Sequence, residues 1–157
     1  EISGGLVGSE MCIRDSGISI RTLVQAGIIV LAAGGGGIPV FVNEEGRFEG
    51  IDAVIDKDLT AAKLGRVIRA DEYYIITDID QVYLNFGLEN QTPIKKMTDN
   101  QAKQYQEEGH FKQGSMWPKI RSAIHFLKHH GKKVIITNID NIQDAIDGKA
   151  GTTIVKE

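Results

Sequence analysis

Ser115-Met-Trp-Pro-Lys-Ile-Arg-Ser-Ala-Ile-His-Phe-Leu-Lys-His-His130 reads as one amphipathic helix, and beyond Gly131 the run Lys133-Val-Ile-Ile-Thr137 reads as one strand. Met116, Ile120, Ala123, Ile124 and Leu127 recur at three- and four-residue steps and make a single apolar face. Pro118 is tolerated because the first helical turn needs no backbone donor, and Gly131 is a natural terminator. A helix feeding directly into a short β-branched run is the unit from which parallel sheets are built.

The same alternation extends outward in both directions. Upstream, Tyr73-Tyr-Ile-Ile-Thr77 is a strand ending in Asp78 and Asp80, Gln81 to Phe86 is a short strand or hairpin arm, and Thr98 to Glu108 is a polar surface helix. Asp58 to Ala70 is a helix with Asp58 as its N-cap and with Ala61, Leu64, Val67 and Ile68 as its apolar face. Gly27-Ile-Ile-Val-Leu-Ala-Ala33 is uncharged, rich in β-branched residues and closed by four glycines, as expected of a central strand buried on both faces. Downstream, Ile142 to Ile146 is a short helix and Thr152 to Val155 a last strand. The pattern predicts an α/β fold with a mainly parallel sheet, in one domain or part of a larger one, with no repeat or linker. Residues 1–17 show no recognisable element, and Glu1 to Ser16 have the look of translated adapter or non-coding sequence.

Composition narrows the function. The 157 residues carry 18 Lys and Arg against 21 Asp and Glu, a net charge of -3, so the chain lacks the field that nucleic-acid or anionic-membrane binding needs. No apolar run approaches the roughly twenty residues of a spanning helix, and no secretory leader is visible at the start. The lone Cys12 and four scattered histidines have no metal spacing, so no protein metal site is expected, and His110, His125, His129 and His130 are assigned to surface or structure. A reducing, cytoplasmic setting follows.

Three loops at the expected carboxyl ends of the strands carry chemistry, since ligands of open α/β sheets bind there. The first is Gly34-Gly-Gly-Gly37-Ile-Pro39, whose Gly35, Gly36 and Gly37 let backbone N–H groups approach an anion. It matches neither the Walker nor the dinucleotide fingerprint, and a flexible turn is an equal reading. The second is Asp56-Lys57-Asp58, where Lys57 in a first helical turn is a point charge for a phosphate and Asp58 a holder for its ammonium; a plain cap beside a solvated lysine is the simpler account. The third is Gly114-Ser-Met-Trp-Pro-Lys119, again with a first-turn lysine. There it opposes the helix dipole, a small cost that a bound phosphate would offset. A surface lysine whose stem covers apolar neighbours is the alternative. Asp78 and Asp80 are suited to a ribose, a lysine or Mg²⁺, or are turn residues.

Taken together, Ala33-GGGGIPV-Phe41, Val54-Ile-Asp-Lys-Asp-Leu59, Thr77-Asp-Ile-Asp-Gln-Val-Tyr-Leu-Asn-Phe-Gly87, Glu108-Gly-His-Phe111 and Gly114-Ser-Met-x-Pro-Lys119 resemble, in order and spacing, the C-terminal half of carbamate kinases. The resemblance covers about Ile18 to Lys156. It implies the amino-acid kinase fold, a three-layer αβα sandwich, with 18–157 as its C-terminal nucleotide-binding part. The implied reaction is reversible phosphoryl transfer between ATP and carbamate, or from carbamoyl phosphate to ADP in arginine breakdown. It implies that Lys57 contacts the transferred phosphate, that Asp58 organises the active-site lysines and that Lys119 neutralises the phosphoryl group in flight. Asp78, Tyr83, Ser115 and Met116 would surround the nucleoside and its phosphates, with Gly35, Gly36 and Gly37 on the carbamate side. Mg²⁺ would come with ATP or ADP, and the full-length enzyme would be a homodimer. The family's N-terminal Gly-Gly-Asn-Ala loop and its protruding subdomain have no counterpart here, and Trp117 stands where a smaller residue is common. Catalysis by this chain alone is therefore not expected. Another enzyme of the family, or a non-catalytic nucleotide-binding or dimerisation fragment, is the alternative.

Overall fold

The computed structural model describes residues 8–35, 39–111 and 113–157, with thirteen helices and strands among them. The chain divides into two compact units, Glu1–Arg69 and Ala70–Glu157, where the length suggests a single core.

In the first unit, helix α1 covers Gly8–Gln25, so a helix stands over most of the segment expected to carry no element. It packs on α2, Lys57–Ile68, and the approach is close at Gly17, where an added Cβ would collide with Val67 Cγ1. The cap of α2 is Asp56, not Asp58: its carboxylate accepts from the N–H groups of Asp58 at 2.9 Å and Leu59 at 3.0 Å. Asp56 retains the extended backbone of an N-cap (φ -61°, ψ 130°), whereas Asp58 lies inside the first turn. The buried face of α2 is also shifted from the expected one. Asp58, Ala62 and Gly65 are buried at helical spacing with Thr60, while Ala61, Leu64, Val67 and Ile68 are half-covered. Strands β1, Val40–Val42, and β2, Phe48–Gly50, form an antiparallel hairpin that the reading misses.

The expected central strand does not form. Residues 28–33 form no helix or strand, and Ile29 and Leu31 are almost fully exposed. A strand apolar on both faces needs a hydrogen-bonded neighbour on each edge and a layer on each face, and among the described residues none pairs with this run.

The second unit follows the expected pattern closely. Its sheet has the order β3-β7-β8-β6, with β3 at Glu72–Thr77, β6 at Lys96–Thr98, β7 at Lys133–Asn138 and β8 at Thr152–Val155. β3 and β7 are parallel, as are β6 and β8, and β7 meets β8 antiparallel. Successive β7 residues Val134, Ile135, Ile136 and Thr137 are all buried, so both faces of this strand are covered. Helix α4, Met116–Lys128, packs on β7 and β3, and the five residues its periodicity picks out are all buried, together with Ser122 and with Phe126, whose ring meets Tyr73 of β3. Helix α3, Asp99–Glu107, starts at a capping box in which Thr98 and Gln101 satisfy each other's backbone N–H, and α5 occupies Ile142–Ile146. A hairpin of β4, Val82–Leu84, and β5, Thr92–Ile94, is fastened to β8 by Thr152. That buried hydroxyl accepts from the Val82 N–H at 2.8 Å and donates to the Ile94 carbonyl. This is a mixed α/β fold with a central sheet flanked by helices.

Candidate functional site

A cleft of about 430 Å³ opens in the second unit, and the topology dictates what lines it. β3 delivers Asp78 and Ile79 at its carboxyl end, the hairpin delivers Tyr83 and Phe86, and the loop before α4 delivers His110, Phe111 and Gly114 to Met116. The four residues assigned to a nucleotide, Asp78, Tyr83, Ser115 and Met116, therefore share one cavity although 38 positions separate the first from the last.

The lining is mostly apolar with a few polar groups, the usual make-up of a small-molecule site. Tyr83 and Phe86 pack as a tilted aromatic pair with centroids 5.9 Å apart. The Tyr83 hydroxyl donates to Asp80 Oδ1 at 2.9 Å, which fixes the phenol, and Asp78 Oδ1 accepts from the Thr77 hydroxyl at 3.0 Å. At the opposite end α4 begins with no acidic residue in its first turn and no side-chain cap from Ser115. Its free N–H groups make that end partly positive, which suits an anion. Lys119 stands half-buried in that same first turn.

The remaining candidates belong to the first unit. Lys57 and Asp58 are the first two residues of α2, the lysine exposed and the carboxylate only 9% exposed. The Asp58 charge at a helix start is favourable and the Lys57 charge is not. Gly35 lies in a turn with open space around its α-carbon, while Gly36 and Gly37 lie outside the described residues.

His110 is the residue that sequence reasoning misses. Its Nδ1 is 2.8 Å from Asn85 Oδ1 and its Nε2 3.2 Å from Glu108 Oε2, so its partners are one residue two positions away and another from a distant loop. No fixed spacing announces such a pair; its place in the Glu108-Gly-His-Phe111 word is the one available signal. Among the described residues, no group of three or more His, Cys, Asp or Glu is placed to hold a metal, and no helix is long and apolar enough to cross a membrane.

Comparison with known proteins agrees with this geometry. Residues 5–138 match the amino acid kinase family. Carbamate kinase of Thermoplasma volcanium is 50% identical over 137 residues, covering 87% of this chain and 45% of that protein. Carbamate kinase of Staphylococcus haemolyticus is 45% identical over 139 residues, with 88% and 45% covered. The structure of the carbamate kinase from Giardia lamblia bound to AMP-PNP superposes with a TM-score of 0.83 at 34% identity, over 90% of this chain and 50% of that one. An N-acetylglutamate synthase from Neisseria gonorrhoeae, at 20% identity and a TM-score of 0.63, shares the fold alone. The chain thus spans about half the length of the relatives it matches, and by sequence and fold it belongs to the amino acid kinase family.

Proposed function

We propose that this chain is the nucleotide-holding part of a carbamate kinase, an enzyme for reversible phosphoryl transfer between ATP and carbamate. The observation that carries the reading is the single cleft that gathers Asp78, Tyr83, Ser115 and Met116 against the start of α4. The relatives at 43–50% identity support the choice of acceptor, and the AMP-PNP complex of the Giardia enzyme supports a nucleotide in this fold.

Phosphoryl transfer asks a protein mainly for positioning and for charge to meet the phosphate oxygens. In this reading Tyr83 and Phe86 cover the base, Asp78 and Ser115 address the ribose and phosphates, and the α4 N-terminus receives negative charge. Lys119 neutralises the group in flight, Lys57 contacts the transferred phosphate, Asp58 orders the lysine side chains, and Gly35 to Gly37 face the carbamate. Mg²⁺ comes with the nucleotide: a single cleft carboxylate, Asp78, together with phosphates is a donor set Mg²⁺ accepts. It would offset phosphate charge. A homodimer, a cytoplasmic location and a place in arginine breakdown rest on the resemblance to carbamate kinases.

Two measurements test this. ADP titrated onto the 157-residue chain should bind weakly, while ATP formation from ADP and carbamoyl phosphate should require the chain joined to the remaining half of such an enzyme. In that joined enzyme Lys119→Ala should lower turnover by about a hundredfold or more, with a smaller change in nucleotide affinity. Turnover within a few fold of the parent would remove Lys119 from the mechanism, and nucleotide binding without any turnover in the joined enzyme would favour a non-catalytic binding module.

A further inference from the structure

A second cavity, of about 260 Å³, opens in the same unit and shares none of its lining with the first cleft. The sheet topology explains its place. β3 and β7 are parallel and β8 is antiparallel to β7, so the carboxyl ends of β3 and β7 meet the amino end of β8. β6 is parallel to β8 and starts at that end too. Asp80 and Gln81 after β3, Asn141 after β7, Lys95 before β6 and Lys149 before β8 are thereby gathered around one hollow, with Thr153 of β8.

The hollow is held in shape from within. The buried Thr152 hydroxyl bonds both the Val82 N–H and the Ile94 carbonyl, which fixes their neighbours Gln81 and Lys95 against Gly151 and Thr153. The Thr153 N–H donates to the Lys95 carbonyl at 3.0 Å, and the Asn141 N–H donates to Asn138 Oδ1 at 3.0 Å. The charges on its wall are unequal. Asp80 is the one carboxylate among the described residues of the lining, and it already accepts from the Tyr83 hydroxyl at 2.9 Å and faces the Gln81 amide at 3.5 Å. Two ammonium groups stand against it. Lys149 reaches Asp147, which is not part of the lining, at 3.0 Å in a solvated pair. Lys95 meets no carboxylate among the described residues. Asn141, Gln81 and Thr153 add uncharged donors, so the surplus in the cavity is positive.

We propose that this cavity is a second binding site, for a small oxyanion of the phosphate or carboxylate class, held by Lys95 and Lys149 with Asn141, Gln81 and Thr153 as donors. Its volume lies below the roughly 300 Å³ at which pockets for drug-sized molecules begin, which selects a small ion with its water rather than a nucleotide. Each ammonium is a point charge for such an ion, and two of them brought from separate loops define a place between them. The inference does not depend on the nucleotide reading. The two cavities are neighbours all the same: Asp80 lines this one and holds Tyr83, which lines the other, so the segment from β3 to β4 is a wall of both.

Inorganic phosphate and succinate represent the two sources of this chemistry. Each is titrated onto the full chain in an oxyanion-free buffer of low ionic strength, and binding is followed through backbone amide chemical shifts. At least one should bind with a Kd on the order of 1 mM or tighter, moving the amides of Gln81, Lys95 and Gly151, and the tighter of the two names the source. Lys95→Gln should weaken that binding roughly three- to tenfold, and the double variant with Lys149→Gln should abolish it, since each change removes a charge-assisted contact. Lys95 and Lys149 are exposed, so these variants should keep the parent's fold, which their amide spectra check. Lys103→Gln removes an exposed ammonium of α3 outside the cavity and should leave the affinity within about twofold, because distant surface charge is screened. Binding by neither ion up to about 10 mM overturns the proposal. Shifts confined to Gly114 to Met116, which would put the ion in the first cleft, overturn it too, as do equal losses from Lys103→Gln and Lys95→Gln. ADP titrated alongside reports on the nucleotide reading separately, and its result leaves this one untouched.

Discussion

Two uncharged β-branched runs of similar composition have opposite surroundings. Val134-Ile-Ile-Thr137 is wholly buried in β7, between parallel β3 on one side and antiparallel β8 on the other. Ile28-Ile-Val-Leu31 is unpaired, with Ile29 93% and Leu31 97% exposed. The exposed run is if anything the more apolar of the two, so the difference lies in what the second unit supplies and the first does not: a backbone partner on each edge and helices over the faces. Apolar content nominates a strand; neighbours make it one.

The largest expected effect comes from cutting into the covered run. Ile136→Ala removes a fully buried side chain and should cost the second unit about 3 kcal/mol, whereas Leu31→Ala should change its stability by less than about 0.5 kcal/mol. Trp117, the sole tryptophan, sits on α4 and reports that unit's unfolding in denaturant. A Leu31→Ala cost comparable to that of Ile136→Ala would show that the exposed run is covered in solution.

A pair of glycines sharpens the same contrast at smaller amplitude. Gly151 and Gly27 both hold left-handed backbone, φ 76° and 79°, so alanine carries a similar conformational cost of about 1 kcal/mol at each. The surroundings differ. A Cβ on Gly151 would lie 2.9 Å from the Ile136 carbonyl oxygen and 3.1 Å from Thr137 Cβ, and one on Gly27 meets nothing within 4 Å. Gly151→Ala should therefore lose roughly 1–2 kcal/mol more than Gly27→Ala, read as the difference in their melting shifts. Equal shifts would mean that β7 and the turn before β8 separate at little cost.

Legibility in the sequence follows the same line. Elements whose signals are local were readable: the α4 face from its periodicity, and α5 and β8 to the residue. Asp78, Tyr83, Ser115 and Met116 come from the resemblance that the Thr77 to Gly87 and Gly114 to Lys119 words carry, and these two words lie on the two sides of the cavity. Features depending on distant partners were not. The Asp56 cap is a local feature that the sequence reading assigns to Asp58 instead, since either aspartate suits a cap and only backbone geometry separates them. Short strands such as β1, β2, β5 and β6, three residues each, carry too little periodicity to register. His110 is defined by Asn85, 25 positions upstream, through a contact that no pattern encodes.

The smallest effect compares ion pairs in the two units. At the β1–β2 turn Arg47 meets Glu45 at 3.2 Å with both side chains largely in water, and removing it should leave stability unchanged within error. On β3 and β7 the register sets Glu72 opposite Lys133, and the Glu72 carboxylate accepts from Tyr74 at 2.7 Å and from Lys133 at 2.9 Å. The Tyr74 hydroxyl first, and Lys133 second, hold the Glu72 carboxyl below its ordinary value of 4.5. A carboxyl whose affinity for protons is lower folded than unfolded stabilises the fold above its unfolded value, and that contribution is lost as pH falls through the folded one. Tyr74→Phe removes the larger cause. Because the site is mostly solvated, the variant should be less stable than the parent by only a few tenths of a kcal/mol, roughly, at neutral pH. The gap should close as the pH falls below the ordinary carboxyl value of 4.5 and through the lowered Glu72 titration. Denaturant midpoints of the two proteins, measured from neutral to acid, read this directly. A gap that persisted unchanged into acid would assign the tyrosine's contribution to packing of its ring on the sheet rather than to its hydrogen bond with Glu72.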